Sequence, residues 1–470
     1  MTPPTDQQVL KTRDDPSPIL FQPTEDENST ESFRLAADVS CSWRKPNETF
    51  GTNTLRQRIE PWLTALVQTE HLSLLVGSGL THAVHTMAVG KGATGMPPIS
   101  FAVHTEAIDT EAERVASQAG RNKGNFEDCI RAANDLLRGL EILSLTAPED
   151  DPVRQDATGL RDNISEVLES FASSIVETER TLLDANDEER NEAIHYLVSF
   201  LMSFASRSGT RDRLNLFTTN YDRYLEVGAD EAGLRLVDRF VGTLAPIFRA
   251  SRLDVDLHYN PPGIRGEPRY LEGVARFTKL HGSVDWMDLN GVIQRIGLPF
   301  GAANTPHFIA NADPVGAESR RLMIYPNAAK DRETSGYPYV ELFRDFAASI
   351  CRPNSTLVCY GYGFGDEHIN RVVEDMLSIP STHLVVISYG DRLGRIMDTY
   401  ARLGRHAQIT LLVGSHLGDL GTLVRHYLPK PAIDRTTIRM ANLLKARWDA
   451  EPRPVEASDS VSHGEHASEP

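Results

Sequence analysis

The sequence predicts an α/β fold in which a parallel sheet is wound by helices and interrupted by an all-helical insertion. Three observations carry that expectation. Short apolar runs such as LSLLV at 72–76 and HLVVISYG at 383–390 lack the alternation of a half-exposed strand, so both of their faces need covering. Helix-length segments separate the runs, as parallel connections require. Between the first run and the second, residues 105–210 change to a period of 3.6 residues.

Taken in order, the first fifty residues mix Pro, Thr, Asp, Glu and Ser around short apolar pieces and read as a poorly ordered segment, 1–50. Residues 55–68 set Leu55, Ile59, Trp62, Leu63 and Leu66 at helical spacing, with Pro61 expected to kink or interrupt the helix. The first strand follows at 72–76 and closes on Gly77-Ser78-Gly79. Three apolar stripes then mark the insertion: Phe126, Ile130, Ala133, Leu137 and Leu140; Ile164, Leu168, Phe171 and Ile175; Ile194, Leu197, Leu201 and Phe204. The stretch 146–158 reads as a loop between its helices, and packing of the stripes on the sheet is the plain expectation, with a lid over the ligand site or an oligomerisation surface as the alternatives. Strand signals return at LNLFTT (214–219), RFTKLHG (276–282), STLVCYGYG (355–363), HLVVISYG (383–390) and ITLLVG (409–414). The expected organisation is a sheet domain from 51–104 and 211–430, the insertion 105–210, and a C-terminal helix with a disordered tail at 431–470.

Composition narrows the function classes. With 40% hydrophobic and 24% charged residues, the chain is neither collagen-like nor wholly disordered nor a polytopic membrane protein. A formal net charge of −17 does not draw the chain as a body onto nucleic acid, so no direct nucleic-acid binding is expected. Cys41, Cys129, Cys351 and Cys359 are scattered without the paired spacing of a zinc site, and no metal is expected. There is neither a secretory leader pattern nor an apolar run of about 18 residues, so a reduced cytoplasmic protein is expected, away from membranes.

The chemistry-bearing strings fall at strand ends, where an open Rossmann-like sheet binds its ligand. VGSGLT (76–81) places Gly77, Ser78 and Gly79 at a strand-to-helix turn that would bring backbone N–H groups to a pyrophosphate. FTTNYD (217–222) places Thr218, Thr219, Asn220 and Asp222 just past a strand, with helix capping as the alternative duty of Asn220 and Asp222. KLHGS (279–283) sets His281 before Gly282 in a turn, where an imidazole suits general-base work. CYGYGFGDEHIN (359–370) supplies a second glycine loop through Gly361, Gly363 and Gly365, ending in Asp366, which would cap a helix or bind a sugar hydroxyl.

Together, in this order, these strings resemble the sirtuin-like family, and in particular its prokaryotic branch found in anti-phage defence. The resemblance spans residues 55–425, and Gly95-Met96-Pro97 looks like the family's glycine-isoleucine-proline flap. It implies NAD as substrate, with Gly77, Ser78, Gly79, Thr218, Thr219, Gly361, Tyr362, Gly363, Phe364, Asp366 and Ser388 around the dinucleotide and Asn220, Asp222 and His281 as the catalytic set. Two departures stand out. Residues 283–350 hold no cysteine where deacylating sirtuins carry a four-cysteine zinc module, and no arginine follows the flap. The resemblance therefore points to an NAD+ hydrolase that releases nicotinamide and ADP-ribose, a toxic effector of abortive infection. A protein deacylase and a non-catalytic NAD or ADP-ribose-binding module are the alternatives. Such an activity needs gating, and no glycine-rich string continues into Gly-Lys-Ser or Gly-Lys-Thr. By family analogy a homo-oligomer is expected, triggered by a separate sensor such as a HerA-type ATPase or a short Argonaute.

Overall fold

The computed structural model describes residues 7–430 apart from 25–31, 38, 46, 97–98, 119–122, 208–210, 252, 254, 260–268, 304–319 and 325–336. The expected C-terminal helix and tail at 431–470 lie outside the described residues. One central sheet has eleven strands, numbered here along the chain. They are β1 (Gln8–Lys11), β2 (Ile19–Pro23), β3 (Ser32–Leu35), β4 (Phe50–Gly51), β5 (His71–Val76), β6 (Leu214–Thr218), β7 (Arg235–Val237), β8 (Val274–Lys279), β9 (Ser355–Tyr360), β10 (His383–Ser388) and β11 (Ile409–Val413). Their order across the sheet is β4-β3-β2-β1-β11-β10-β9-β5-β6-β8-β7. From β11 to β7 every pairing is parallel, as the apolar runs predict.

The N-terminal fifty residues depart from expectation. Where a poorly ordered segment is expected, the described residues among them carry β1 to β4, an antiparallel meander laid against the edge of β11. Buried polar groups fix it there. The Gln8 carboxamide accepts from the backbone N–H groups of His416 and Leu417 at 3.0 and 3.2 Å, which closes the turn after β11. Lys11, almost wholly buried, donates from Nζ to the carbonyls of His406 and Ile409. Phe21 packs edge to face with both Phe33 and Phe50 beneath these strands. Strands β1 to β3 are only four or five residues long.

Helices cover both faces of the sheet, because successive residues of a strand point to opposite sides. In β9, Val358 and Tyr360 enter a core with α1 (Thr52–Val67), α2 (Ser78–Val89), α6 (Asp187–Ala205) and α7 (Tyr224–Glu231). Leu357 and Cys359 enter the opposite core with α8 (Tyr339–Ile350), α9 (Glu367–Leu377) and α10 (Arg395–Leu403). Pro61 does not interrupt α1; it stands on the exposed side while Leu55, Ile59, Leu63 and Leu66 face inward.

Residues 105–210 hold α3 (Thr105–Gln118), α4 (Phe126–Ser144), α5 (Pro152–Leu183) and then α6. The α6 stripe joins the central core. The stripes of α3 to α5 instead form a third core with Tyr221, Val284, Met287 and Leu289, away from the central sheet. The last three belong to a smaller antiparallel sheet whose strand Gly282–Leu289 starts directly after His281, so the chain leaves the central sheet at that histidine. Among the described residues no helix is long and apolar enough to cross a membrane.

One buried group makes the sheet sensitive to acid. Trp62 Nε1 donates to Thr410 Oγ1 at 2.9 Å, which leaves the threonine hydroxyl hydrogen for His383 Nε2 at 2.8 Å. Burial first, then the nearby Lys11 and Arg13, lower the His383 pKa from 6.5 to about 4. Between those values the unfolded chain binds the proton and the folded one does not, so stability contributed above pH 6.5 is lost as pH falls toward 4. Thermal melts at pH 7, 6 and 5 should show the parent losing up to about 1.4 kcal/mol per pH unit more than His383→Gln. Parallel pH profiles for the two proteins would contradict this.

Candidate active site

The site is built on a contact between two glycine turns. At the end of β5 the Gly77 N–H donates to Tyr360 O and the Gly79 N–H to Gly361 O, each at 3.0 Å. A Cβ on Gly79 would lie 2.5 Å from the Cα of Gly361, and one on Gly361, whose φ is +61°, 2.6 Å from the Cα of Gly79. These glycines are therefore required first by each other, and only then by any ligand. Since the N–H groups of Gly77 and Gly79 are both engaged, the Ser78 N–H is the donor this turn leaves for a ligand at the start of α2.

Strand β6 adds the next piece. Thr218 Oγ1 donates to Val76 O at 2.9 Å and accepts the Asn220 N–H at 3.0 Å, which ties the end of β6 to that of β5. Asn220 Nδ2 donates to Gly77 O and to Thr81 Oγ1, both at 3.0 Å. A carbonyl can only accept, so the amide orientation is fixed and Oδ1 is the atom left for a ligand. Thr81 passes its own hydrogen to Asp222 Oδ2 at 2.7 Å, while Asp222 Oδ1 accepts from Tyr224 N at 3.2 Å at the start of α7. Asp222, one residue before the N-cap Arg223, thus holds the first N–H of α7, and Asn220 does not.

Strand β8 brings the histidine. Leu280 N donates to Thr218 O at 2.8 Å, and His281 follows, buried, with its ring centroid 6.3 Å from that of Tyr221. Lys279 Nζ reaches back to the carbonyls of Tyr221 and Asp222 and to Glu226 Oε1 at 2.9 Å, clamping the Asn220–Asp222 loop to the histidine turn. Gly282, with φ +88°, turns the chain into the next strand.

These turns share a cavity of about 1430 Å³, roomy for a dinucleotide when drug-sized pockets run about 300–1,000 Å³. Gly77, Ser78, Thr219, Asn220, Asp222, His281, Gly361, Tyr362, Gly363, Phe364 and Asp366 all line it. Gly95 and Met96 of the flap line it too, whereas Pro97 lies outside the described residues. Three expected residues do not line it. Gly79 faces Gly361, Thr218 fastens strand ends, and Ser388 donates to Gly390 O at 2.9 Å. The rings of Tyr362 and Phe364 are buried in the core beneath their loop, 5.0 Å apart. Asp366 stands at the N-cap of α9 without its side chain accepting from that helix.

Sequence reasoning missed Thr81, His82 and Arg131, all lining the cavity. Thr81 lay inside a quoted string, and its role appears only when Asn220 and Asp222 are seen on either side of it. Burial, followed by His85 and Arg392 and opposed by Asp222, holds the His82 pKa below the usual imidazole value, so it faces the cavity uncharged at neutral pH. Among the described residues no group of three or more His, Cys, Asp or Glu is arranged to hold a metal ion.

Residues 214–408 match the family model described as a SIR2-like domain. That stretch carries the Asn220, His281 and second-glycine-loop strings, and the match supports the sirtuin-like resemblance for them. Such a domain implies an NAD-related activity and NAD binding. No curated protein matches the chain.

The glycine contact makes a stability forecast. Gly79→Ala and Gly361→Ala should each lose about 1–3 kcal/mol or more in denaturant unfolding, because backbone and not a movable side chain opposes the new methyl. Gly363→Ala, which meets nothing within 4 Å, should stay within about 0.5 kcal/mol of the parent. Equal effects at the three positions would refute the packing role.

Proposed function

With a SIR2-like domain at residues 214–408 as premise, we propose that the protein is an NAD+ glycohydrolase. The observation that carries this reading is that Asn220, Asp222 and His281, from the ends of two neighbouring strands, line one cavity with both glycine turns. Nicotinamide leaves its ribose as a neutral molecule carrying the electrons of the broken C1′–N bond, so the reaction needs little acid assistance. The work lies in stabilising the oxocarbenium-like sugar and aiming water at C1′.

Asn220 Oδ1, the free acceptor of that amide, suits holding a water or a ribose hydroxyl. The Asn220–Thr81–Asp222 chain fixes it in place, since both amide hydrogens and the threonine hydrogen already have acceptors. His281 would take the proton from the attacking water as its oxygen bonds to C1′. The Asp222 carboxylate favours a cationic ring beside it. As an NAD-depleting activity, this function fits a toxic effector in anti-phage defence, held in check by self-assembly or by a separate sensor protein.

Mass spectrometry of purified protein with NAD should detect free nicotinamide and ADP-ribose. Asn220→Ala and His281→Ala should lower that release by about 100-fold or more. Variants as fast as the parent would overturn the assignment. Nicotinamide released only when an acetylated peptide is added, with acetyl-ADP-ribose as co-product, would move the chain to the deacylases, and binding of NAD without any cleavage would make it a binding module. Size chromatography of the chain alone and mixed with candidate sensors tests the gating; a constitutively active monomer would count against it.

A further inference from the structure

Helix α4 sets Glu127, Arg131 and Asp135 four residues apart on one face, and all three line the cavity. Arg131 is only 9% exposed, and among the described residues its Nε and Nη2 are buried without a hydrogen-bond partner. No other side chain among the described residues leaves two buried nitrogens in that condition.

Elsewhere two buried guanidinium groups are bonded to carboxylates, although Arg239 leaves its Nη1 without a partner. Arg223, similarly buried, bonds Glu179 and the carbonyls of Leu298 and Pro299. Arg239 forks Asp345 with Nε and Nη2 at 2.7 and 2.5 Å. One carboxylate that feels the charge of Arg131, Glu111, is already forked by Arg114 at 2.7 and 2.7 Å. The open edge of Arg131 is thus the same Nε–Nη2 edge that takes two oxygens of one anion at Arg114 and Arg239.

An unpaired buried cation destabilises the fold it sits in, and a ligand anion removes that penalty. We infer that Arg131 is an anion-recognising residue of this cavity and that its guanidinium takes a phosphate group of the nucleotide ligand. The fork is sealed from water in the free protein, so it meets the phosphate once the side chain turns about its terminal torsions into the cavity. The helical insertion thereby supplies a ligand contact, and the charge of that contact favours a phosphate-bearing nucleotide over the nucleoside. The inference rests on the NAD-type ligand proposed above, and it does not require that the bond to nicotinamide be cleaved.

The test uses calorimetry on the full chain with ADP-ribose, 2′-phospho-ADP-ribose and adenosine, none of which has a nicotinamide to lose. Arg131→Met should weaken binding of at least one of the two phosphate-bearing ligands about 10- to 100-fold, leave adenosine binding unchanged, and raise the melting temperature of the free protein. Arg131→Lys, which keeps the charge and loses the fork, should fall between the two. A preference for 2′-phospho-ADP-ribose that Arg131→Met erases would assign the guanidinium to the 2′-phosphate, and an equal loss for both ligands to the diphosphate. Affinities for ADP-ribose and 2′-phospho-ADP-ribose that are both unchanged in Arg131→Met, or an equal loss for adenosine, overturn the inference and leave the NAD reading standing. A parent protein that binds none of the three overturns the NAD-type reading itself, and the inference with it.

Discussion

Two backbones in contact without a side chain between them set the geometry of this protein. The turn after β5 and the turn after β9 meet at Gly79 and Gly361, and a methyl group on either would overlap the other's main chain. β5 is also where the chain's path across the sheet reverses. It runs from β5 to β6 on one side and returns to β9 on the other, which is the place where an open α/β sheet leaves a crevice at its strand ends. Because the turns touch, the Gly77 carbonyl is held where the Asn220 amide can bond it, and that bond orients the remaining amide oxygen. The cavity floor follows from the packing of glycine on glycine, and ligand chemistry is added to a surface already fixed.

That order of cause explains what the sequence reveals of the site. Strand ends are legible because both faces of each central strand are buried, so the apolar run stops where the crevice begins. Polar or flexible residues collected there, such as Asn220, His281 and the glycines, stand out against it. What does not show is the reason for a glycine. A strand-to-helix glycine suggests room for a phosphate, but for Gly79 the room is occupied by Gly361, 282 residues away in sequence. Contacts of such separation leave no local mark. The same holds for Thr81 and Arg131, which occupy ordinary helical positions and gain their meaning from groups on other elements.

The N-terminal meander shows the complementary failure. Four short strands in a Pro-, Asp- and Thr-rich stretch carry too few apolar residues for a periodic signal, and the exposed edge of β11 supplies what their own sequence lacks. Their stability comes from the sheet they join, through Gln8 on the turn after β11 and Lys11 on the carbonyls beside it. Composition is a poor guide to order where the decisive partner is an existing sheet edge.

The helical insertion follows from both lessons. Its apolar stripes are plain in the sequence, yet they divide: α6 covers the central sheet, while α3 to α5 build a core of their own against the small sheet that begins after His281. Tyr221 of the strand-end loop packs into that core against Phe171, and buried polar groups tie the residues that follow it to α5. Glu179 of α5, fully buried, accepts from the backbone N–H of Arg223 at 3.0 Å and from its guanidinium, and Tyr224 donates its hydroxyl to Thr178 O at 3.2 Å. A buried ion pair adds little net stability over an apolar substitute of the same volume, but breaking one partner strands a charge, so such pairs hold one arrangement against its alternatives. Here the arrangement held is that of Asp222, next in the chain to Arg223, relative to the insertion that carries Arg131. The insertion thus acts as a wall of the cavity whose register with the loop is set by Tyr221 in its apolar core and by the buried Glu179–Arg223 pair together.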